Sequence, residues 1–438
     1  MLYLLPLLIT YFITSLWQVG EQISRHPIYS MIKLKSILEN RGVFMTIPFL
    51  NLSRQYQTIQ PELEAKALEV LRSGAYVGGK YVTEFEAAMA DYLGVKHVIS
   101  CANGTDAIVI ALRAAGIGHG DEVITTPFTF FATPEAIASV GAVPVFVDIA
   151  EHDFNMDPTK IEAAITPKTK AIMPVHIFGV PADMDAINAI AKKHNLVVIE
   201  DGAQSIGSTY RGTKVGNTDN MVTSSFYPTK NLGAFGDAGM ITTNSDDYAI
   251  ICRGFKEHGM AKTGAMAREL LTGVKDEFEE TVAADPLYNP YKYYNFLIGY
   301  NSRMDAIQAA LLTIKLAHIE SYNQRRTAIA DKYTAALSGT VITPVAPVDA
   351  TTCYHQYVVR TEKKEELIKH LESKGIGTAA FYPVPMHLQK ALSYLNYQVG
   401  DFPIAETICN QTVCLPAFPE LTDEEVDTVI AAIKDFFN

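Results

Sequence analysis

From His97 onward the sequence alternates short β-branched runs with stretches whose apolar residues recur at helical spacing. "HVISC" precedes "TDAIVIALRAAG", "DEVITT" precedes "FATPEAIASVGA", and "VPVFVDI" precedes "DPTKIEAAI". "KAIMPVHIF" then precedes "DMDAINAIAKKHN", which runs into "LVVIEDG". Apolar strands separated by helices bury both of their faces in a mostly parallel sheet covered on each side. The order therefore predicts an α/β fold, with a large domain over residues 45–300. A long helical pattern follows from "SRMDAIQAALLTIKLAHIESYNQRR" towards Leu337. After it, "YHQYVVRT", "KEELIKHLESKG" and a last helix in "TDEEVDTVIAAIKDFF" predict a linking helix and a smaller α+β domain over 301–438. Residues 263–292 interrupt this order with charges and helix breakers, and read as an inserted excursion, helical in part.

Bulk properties narrow the function classes. With 438 residues, 48% of them apolar, the chain can bury a sizeable core. Its net charge of −12 leaves no basic surplus to neutralise phosphates, which excludes a general affinity for nucleic acid. A small anion could still be held by a few local cations and amides. Cys101, Cys252, Cys353, Cys409 and Cys414 are scattered and form no CxxC pair, so neither a disulfide framework nor a metal site is expected. Reduced thiols fit a cytoplasmic protein.

Residues 1–44 stand apart. "MLYLLPLLITYFITSLW" is 17 residues without a charge. Three readings are open: a start assigned too early, with Met45 opening "MTIPFLNL"; a single membrane anchor, interrupted by Pro6; or a signal peptide, although no basic n-region or cleavage site is clear. Membrane association is expected only if residues 1–20 are translated.

Unusual polar residues fall at the predicted carboxyl ends of strands, where open parallel sheets bind ligands. Asn103, Gly104 and Thr105 lie between a strand and a helix start, a setting that suits an anion. Taken alone, an ordinary N-cap with a glycine turn explains that stretch better. Glu200 and Asp201 end the apolar strand "LVVIE", where a carboxylate is costly unless paired. Lys230 sits in "SSFYPTKNLGAFGDAG", between apolar walls and glycines that let backbone approach a ligand. A lysine becomes nucleophilic when burial or neighbouring groups lower its pKa. An anion turn, a strand-end acid and such a lysine together meet the needs of pyridoxal phosphate: a covalent amine, a partner for the pyridinium nitrogen and a phosphate cradle.

"NGTDA", "PFTFFAT", "PVHIFG", "IEDGAQ", "SFYPTKNLG", "GYNSRM", "YPVP" and "LPAFPELT" occur in this order, and with them the chain resembles the DegT/DnrJ/StrS sugar aminotransferases from about residue 46 to its end. The resemblance implies a fold-type-I enzyme that uses pyridoxal phosphate. It implies that Lys230 holds the cofactor covalently and shuttles protons, and that Asp201 partners the pyridine nitrogen. Gln204 resembles the residue bonded to the phenolic oxygen, and Phe130 the one stacked on the ring. Gly104, Thr105 and Ser225 match phosphate contacts. Asn301 matches an asparagine that reaches the phosphate from the neighbouring subunit, which implies a homodimer with shared active sites. The implied reaction moves an amino group from L-glutamate to a keto-sugar linked to a nucleoside diphosphate, as in amino-sugar and polysaccharide biosynthesis. "GYNSRM" favours amination at C3 over C4.

Two alternatives are a sugar dehydratase using pyridoxamine phosphate, in which histidine replaces the lysine, and a non-catalytic cofactor-binding regulator. Gly202 stands where the family usually has alanine, a departure expected to be harmless. The excursion is longer than the usual loop there and leaves the sugar open. His176 and His387 are expected to be structural, and Tyr382 and Arg303 to be substrate or interface contacts.

Overall fold

In the computed structural model, which describes residues 47–275, 293–345 and 348–438, the strand–helix alternation resolves into a central sheet. Its first strands are β1 (His97–Cys101), β2 (Glu122–Thr125), β3 (Val143–Phe146), β4 (Thr169–Ile172) and β5 (Val197–Asp201). A small hairpin of β6 (Thr209–Tyr210) and β7 (Thr213–Lys214) stands outside it, and β8 (Met221–Ser225) and β9 (Gly239–Thr243) complete it. The order is β1-β9-β8-β5-β4-β2-β3. β2 pairs in parallel with β3 and β4, β4 with β5, and β5 with β8, while β9 runs antiparallel to both β8 and β1.

Helices cover both faces. Ahead of β1 come α1 (Leu52–Ser73) and α2 (Gly79–Leu93). Within the sheet region lie α3 (Gly104–Ala114), α4 (Ala132–Ser139), α5 (Met184–His194), α6 (Asp246–Lys256) and α7 (Ala261–Thr272). Neighbouring residues along a strand point to opposite faces, and here both are buried. Ile99, Ile199 and Ile241 pack with α3 and α6. Val98 and Met240 pack instead with α2, and Val198 with Met184, Ile187 and Ala191 of α5. This is why the strands read as continuous apolar runs.

Two sequence expectations change in detail. "DPTKIEAAI" forms two short 3-10 turns, Pro158–Lys160 and Glu162–Ala164, in place of an amphipathic helix. Pro158 opens the segment and Pro167 disfavours helical geometry at Thr166, so a full α-helix has no room. The long helical pattern after Arg303 is two helices, α8 (Ala306–Leu316) and α9 (Ile319–Leu337). The break lets the chain change partners. Ala309, Leu312 and Leu316 join the core under α2, whereas Ile329, Tyr333 and Leu337 join that of the C-terminal lobe.

In that lobe, β10 (Ala350–Thr351) pairs with β6, and β11 (Tyr357–Arg360) follows. α10 (Lys364–Ser373) and α11 (Pro403–Gln411) precede β12 (Thr412–Leu415), which runs antiparallel to β11, and α12 (Asp423–Phe437) closes the chain. A capping box of Thr422 and Glu425 starts α12. The lobes are stitched together by polar contacts: Asp148, just past β3, accepts from Ile404 N at 3.0 Å and Ala405 N at 2.9 Å at the start of α11. Arg360 of β11 reaches Glu151 at 2.9 Å.

The predicted excursion begins as α7. Its remainder, 276–292, and the N-terminal segment 1–44 lie outside the described residues. Among the described residues no helix is long and apolar enough to cross a membrane. All five cysteines are buried free thiols.

Candidate active site

The carboxyl ends of β1, β5 and β8 open onto a cavity of about 1020 Å³. Gly104, Thr105, Phe130, Asp201, Gln204, Ser225 and Lys230 all line it. These residues are spread over more than a hundred positions of sequence, and the sheet brings them to one place.

The anion side is built at the start of α3. Asn103 caps the helix, its Oδ1 accepting from Asp106 N at 2.8 Å, which leaves the amides of Gly104 and Thr105 free at the positive end of the helix. Ser225 ends β8 directly beside Gly104. A Cβ on Gly104 would lie 2.7 Å from Ser225 Cβ, so only glycine lets the two segments close into one cradle.

Asp201 ends β5 and is 5% exposed. Thr133 of α4 donates to its Oδ2 at 2.8 Å, and the Ala203 N–H donates to Oδ1 at 3.1 Å. The Thr133 hydroxyl lies 3.0 Å from that of Thr129, which completes a short chain of bonds fixing the carboxylate. Gly202 is tightly packed, since an added Cβ would sit 2.9 Å from Val222 Cγ1 and 3.1 Å from Thr223 O.

Lys230 lies in the turn after β8, held by its backbone N–H to Tyr227 O at 2.8 Å. Its side chain is partly buried and lines the cavity. Burial pulls its ammonium down from 10.5 to about 8, against the opposing attraction of Asp201. Among the described residues its Nζ has neither hydrogen-bond nor ion-pair partner. Across the cavity, burial first and then the Lys230 and Arg326 cations hold His355 well below the usual imidazole pKa, so it is neutral. His355 Nδ1 sits 3.1 Å from Asn231 Oδ1; the Asn231 amide donates to Asn323 Oδ1 and Cys353 O, so the imidazole is the donor in that pair.

Phe130 lines the cavity with 58% of its surface exposed. Gln204 is held at both ends of its amide: Oε1 accepts from Phe178 N at 2.8 Å and Nε2 donates to Tyr382 OH at 3.0 Å. Asn301 is exposed and does not line the cavity of its own chain; its Oδ1 accepts from Arg303 at 2.6 Å.

The two conspicuous histidines are tied into the scaffold. His176 Nδ1 accepts from Ala182 N at 3.1 Å, so its Nε2–H donates to Glu200 Oε2 at 2.8 Å. Burial opposes ionisation of Glu200, yet bonds from His176, Asn220 and Thr218 hold it below the usual carboxylate range. His387 bonds Glu406 at 3.0 Å. Sequence reasoning missed Thr133 and His355. Thr133 reads as a helix-start threonine, and His355 has no local pattern marking it.

These groups suit pyridoxal phosphate as a set: a cradle closed by a glycine that admits no Cβ, a fixed carboxylate, and an unpaired amine of lowered pKa. Comparison with known proteins agrees. The model for the DegT/DnrJ/EryC1/StrS aminotransferase family matches residues 57–434. A Geobacillus stearothermophilus "pleiotropic regulatory protein" is 45% identical over 90% of this chain and 99% of its own length. A Pseudomonas aeruginosa "UDP-2-acetamido-2-deoxy-3-oxo-D-glucuronate aminotransferase" is 39% identical over 89% of this chain and 100% of its own. The crystal structure of Bacillus subtilis NtdA with bound cofactor PMP superposes with a TM-score of 0.76 at 32% identity, covering 89% of this chain and 85% of that one.

Proposed function

Since the chain belongs to the DegT/DnrJ/EryC1/StrS family of pyridoxal-phosphate-dependent aminotransferases, we propose that it moves an amino group from L-glutamate to a keto-sugar carried on a nucleoside diphosphate. The observation that carries the reading is Lys230, an unpaired amine of pKa about 8 facing the fixed carboxylate of Asp201 across one cavity. When bound, the cofactor supplies an electron sink for the pair released as a C–H bond beside nitrogen breaks. Asp201, oriented by Thr133 and Ala203 N, would hold the proton on the ring nitrogen. Gly104, Thr105 and Ser225 would bind the phosphate through amides and hydroxyls, Phe130 would stack on the ring, and Gln204 would meet the phenolic oxygen. Lys230 would bind the cofactor at rest. Once released, its Nζ would take the proton from one carbon and return it to the other, a task suited to an amine that titrates near neutrality.

A keto-sugar oxidised at C3 is favoured over C4. Support comes from the "GYNSRM" form of the motif and from the 3-oxo sugar in the name of the P. aeruginosa relative. The active form is proposed to be a homodimer in which Asn301 serves the neighbouring cavity, since it is not among the residues lining its own. The chain is proposed to divide into a large domain, 45–300, and a linking helix with a small C-terminal domain, 301–438. The reaction is assigned to the cytoplasm, where reduced thiols persist.

The test is spectroscopic. Protein supplied with pyridoxal phosphate should gain a visible absorption band, lose it on addition of L-glutamate, and regain it with a nucleotide-linked 3-keto-sugar. Lys230→Ala should abolish the band. A second reading, a cofactor-binding regulator, draws on the name of the G. stearothermophilus relative. It requires a band that L-glutamate leaves unchanged. The dehydratase alternative requires a histidine where Lys230 stands.

A further inference from the structure

Tyr382 approaches the cavity from the C-terminal lobe, 178 positions from the glutamine it touches. Its ring is fixed by aromatic neighbours. It stacks on Phe178 at 6.4 Å and 14°, meets Phe128 edge-on at 6.0 Å, and lies 6.4 Å from Phe130. The hydroxyl therefore has one place to be, and there it accepts the Gln204 Nε2–H at 3.0 Å. Two protons remain uncommitted. The Phe178 N–H on Oε1 fixes which end of the Gln204 amide is nitrogen, and of the two hydrogens on Nε2 only one is donated to Tyr382. The Tyr382 hydroxyl, acting as acceptor, keeps its own proton, for which no acceptor exists among the described residues.

The ring chemistry says what these two donors could meet. Pyridoxal phosphate carries its reactive carbon at C4, flanked by the phenolic oxygen at C3 and the phosphate arm at C5. With the nitrogen at Asp201, the reactive carbon at Lys230 and the phosphate at Gly104 and Ser225, the phenolic oxygen is left for the remaining edge. We propose that Tyr382 is a positioning residue that locks the Gln204 amide and adds its own O–H as a second donor to the phenolic oxygen. The pair thereby stabilises the oxygen as an anion. This rests on the cofactor reading above. The ionisable groups lining the cavity beside Tyr382 are Asp106, Asp201, Tyr227, Lys230, Asp237 and His355, with Cys414 of β12 also close to its hydroxyl. Burial raises the pKa of Tyr382 itself, so the hydroxyl remains a donor throughout the working range.

The test titrates the visible band of the cofactor-loaded protein in wild type, Tyr382→Phe, Gln204→Leu and the double variant. Phenylalanine keeps the ring stack, and an unchanged unfolding profile checks that it does. Loss of a donor to an anionic oxygen should raise the midpoint of the band in Tyr382→Phe by about one pH unit. The double variant should move less than the sum of the two single shifts, because the donors act as a unit. A wild-type midpoint in Tyr382→Phe, or strictly additive shifts, overturns the proposal. Absence of any band in the wild type would instead count against the cofactor reading, which separates the two failures.

Discussion

Replacing Lys230 with methionine should make the apoprotein more stable near neutral pH, and the gain should vanish in alkali. Methionine is unbranched and reaches as far as the lysine Cε, so the packing of the turn is largely kept. What changes is the charge. Burial lowers the Lys230 pKa from 10.5 to about 8 even with Asp201 pulling the other way. A gap of that size corresponds to roughly 2–3 kcal/mol against holding the ammonium in the folded chain, after allowing for the tip's contact with the cavity. The sign follows from proton counts. Below pH 8 both folded and unfolded chains are protonated at this lysine, and the full penalty is present. Between 8 and 10.5 the unfolded chain binds more protons, so wild-type stability rises with pH. Above that both forms are neutral and the penalty is gone. Urea unfolding of cofactor-free wild type and Lys230→Met should therefore differ by roughly 2–3 kcal/mol at pH 7 and converge above about pH 10. Equal stabilities at pH 7, or a difference that persists unchanged into alkali, would refute the claim that this amine is held under electrostatic stress. Such stress is what lowers its pKa toward neutrality, where an ordinary lysine is charged almost entirely.

Two other outcomes follow from the packing. Gly104→Ala must displace either α3 or the end of β8, because the new Cβ would meet Ser225 Cβ at 2.7 Å; equilibrium dialysis should find pyridoxal phosphate bound about 10-fold more weakly or worse. His176→Leu leaves Glu200 buried without its imidazole partner, and denaturant unfolding should register a loss of about 2–3 kcal/mol while the cofactor band keeps its wavelength.

The parts of the fold legible in the sequence were those with local causes. Apolar runs bounded by helical periodicity located β1 to β5, and a strand-end acid or a lysine among glycines stood out because each is expensive without a partner. Strand direction has no such local signal. Nothing in "GMITT" says that β9 runs against its neighbours; that depends on the chain turning straight back after Lys230 rather than crossing over a helix. The break between α8 and α9 was hidden because each side keeps an apolar stripe, though facing different cores. At the site, Asp201 was legible and Thr133 was not, since its hydroxyl acquires meaning only when α4 packs beside β5. Tyr382 and His355 reach the cavity from a lobe that begins far downstream, where only tertiary structure sets their distance from Lys230.

The antiparallel return of β9 has a mechanical consequence. Ser225 and Gly239 are register partners, so the loop bearing Lys230 leaves and re-enters the sheet at a single rung. Phe226 N–H donates to Ala238 O at 2.8 Å and Ala234 N–H to Phe226 O at 2.7 Å, tightening the neck above that rung. From α8, Gln308 takes the Phe235 N–H at 2.8 Å and Lys315 donates to Gly233 O. As the proposed anchor of the cofactor, Lys230 therefore stands on a closed neck fastened at once to two strands and a helix.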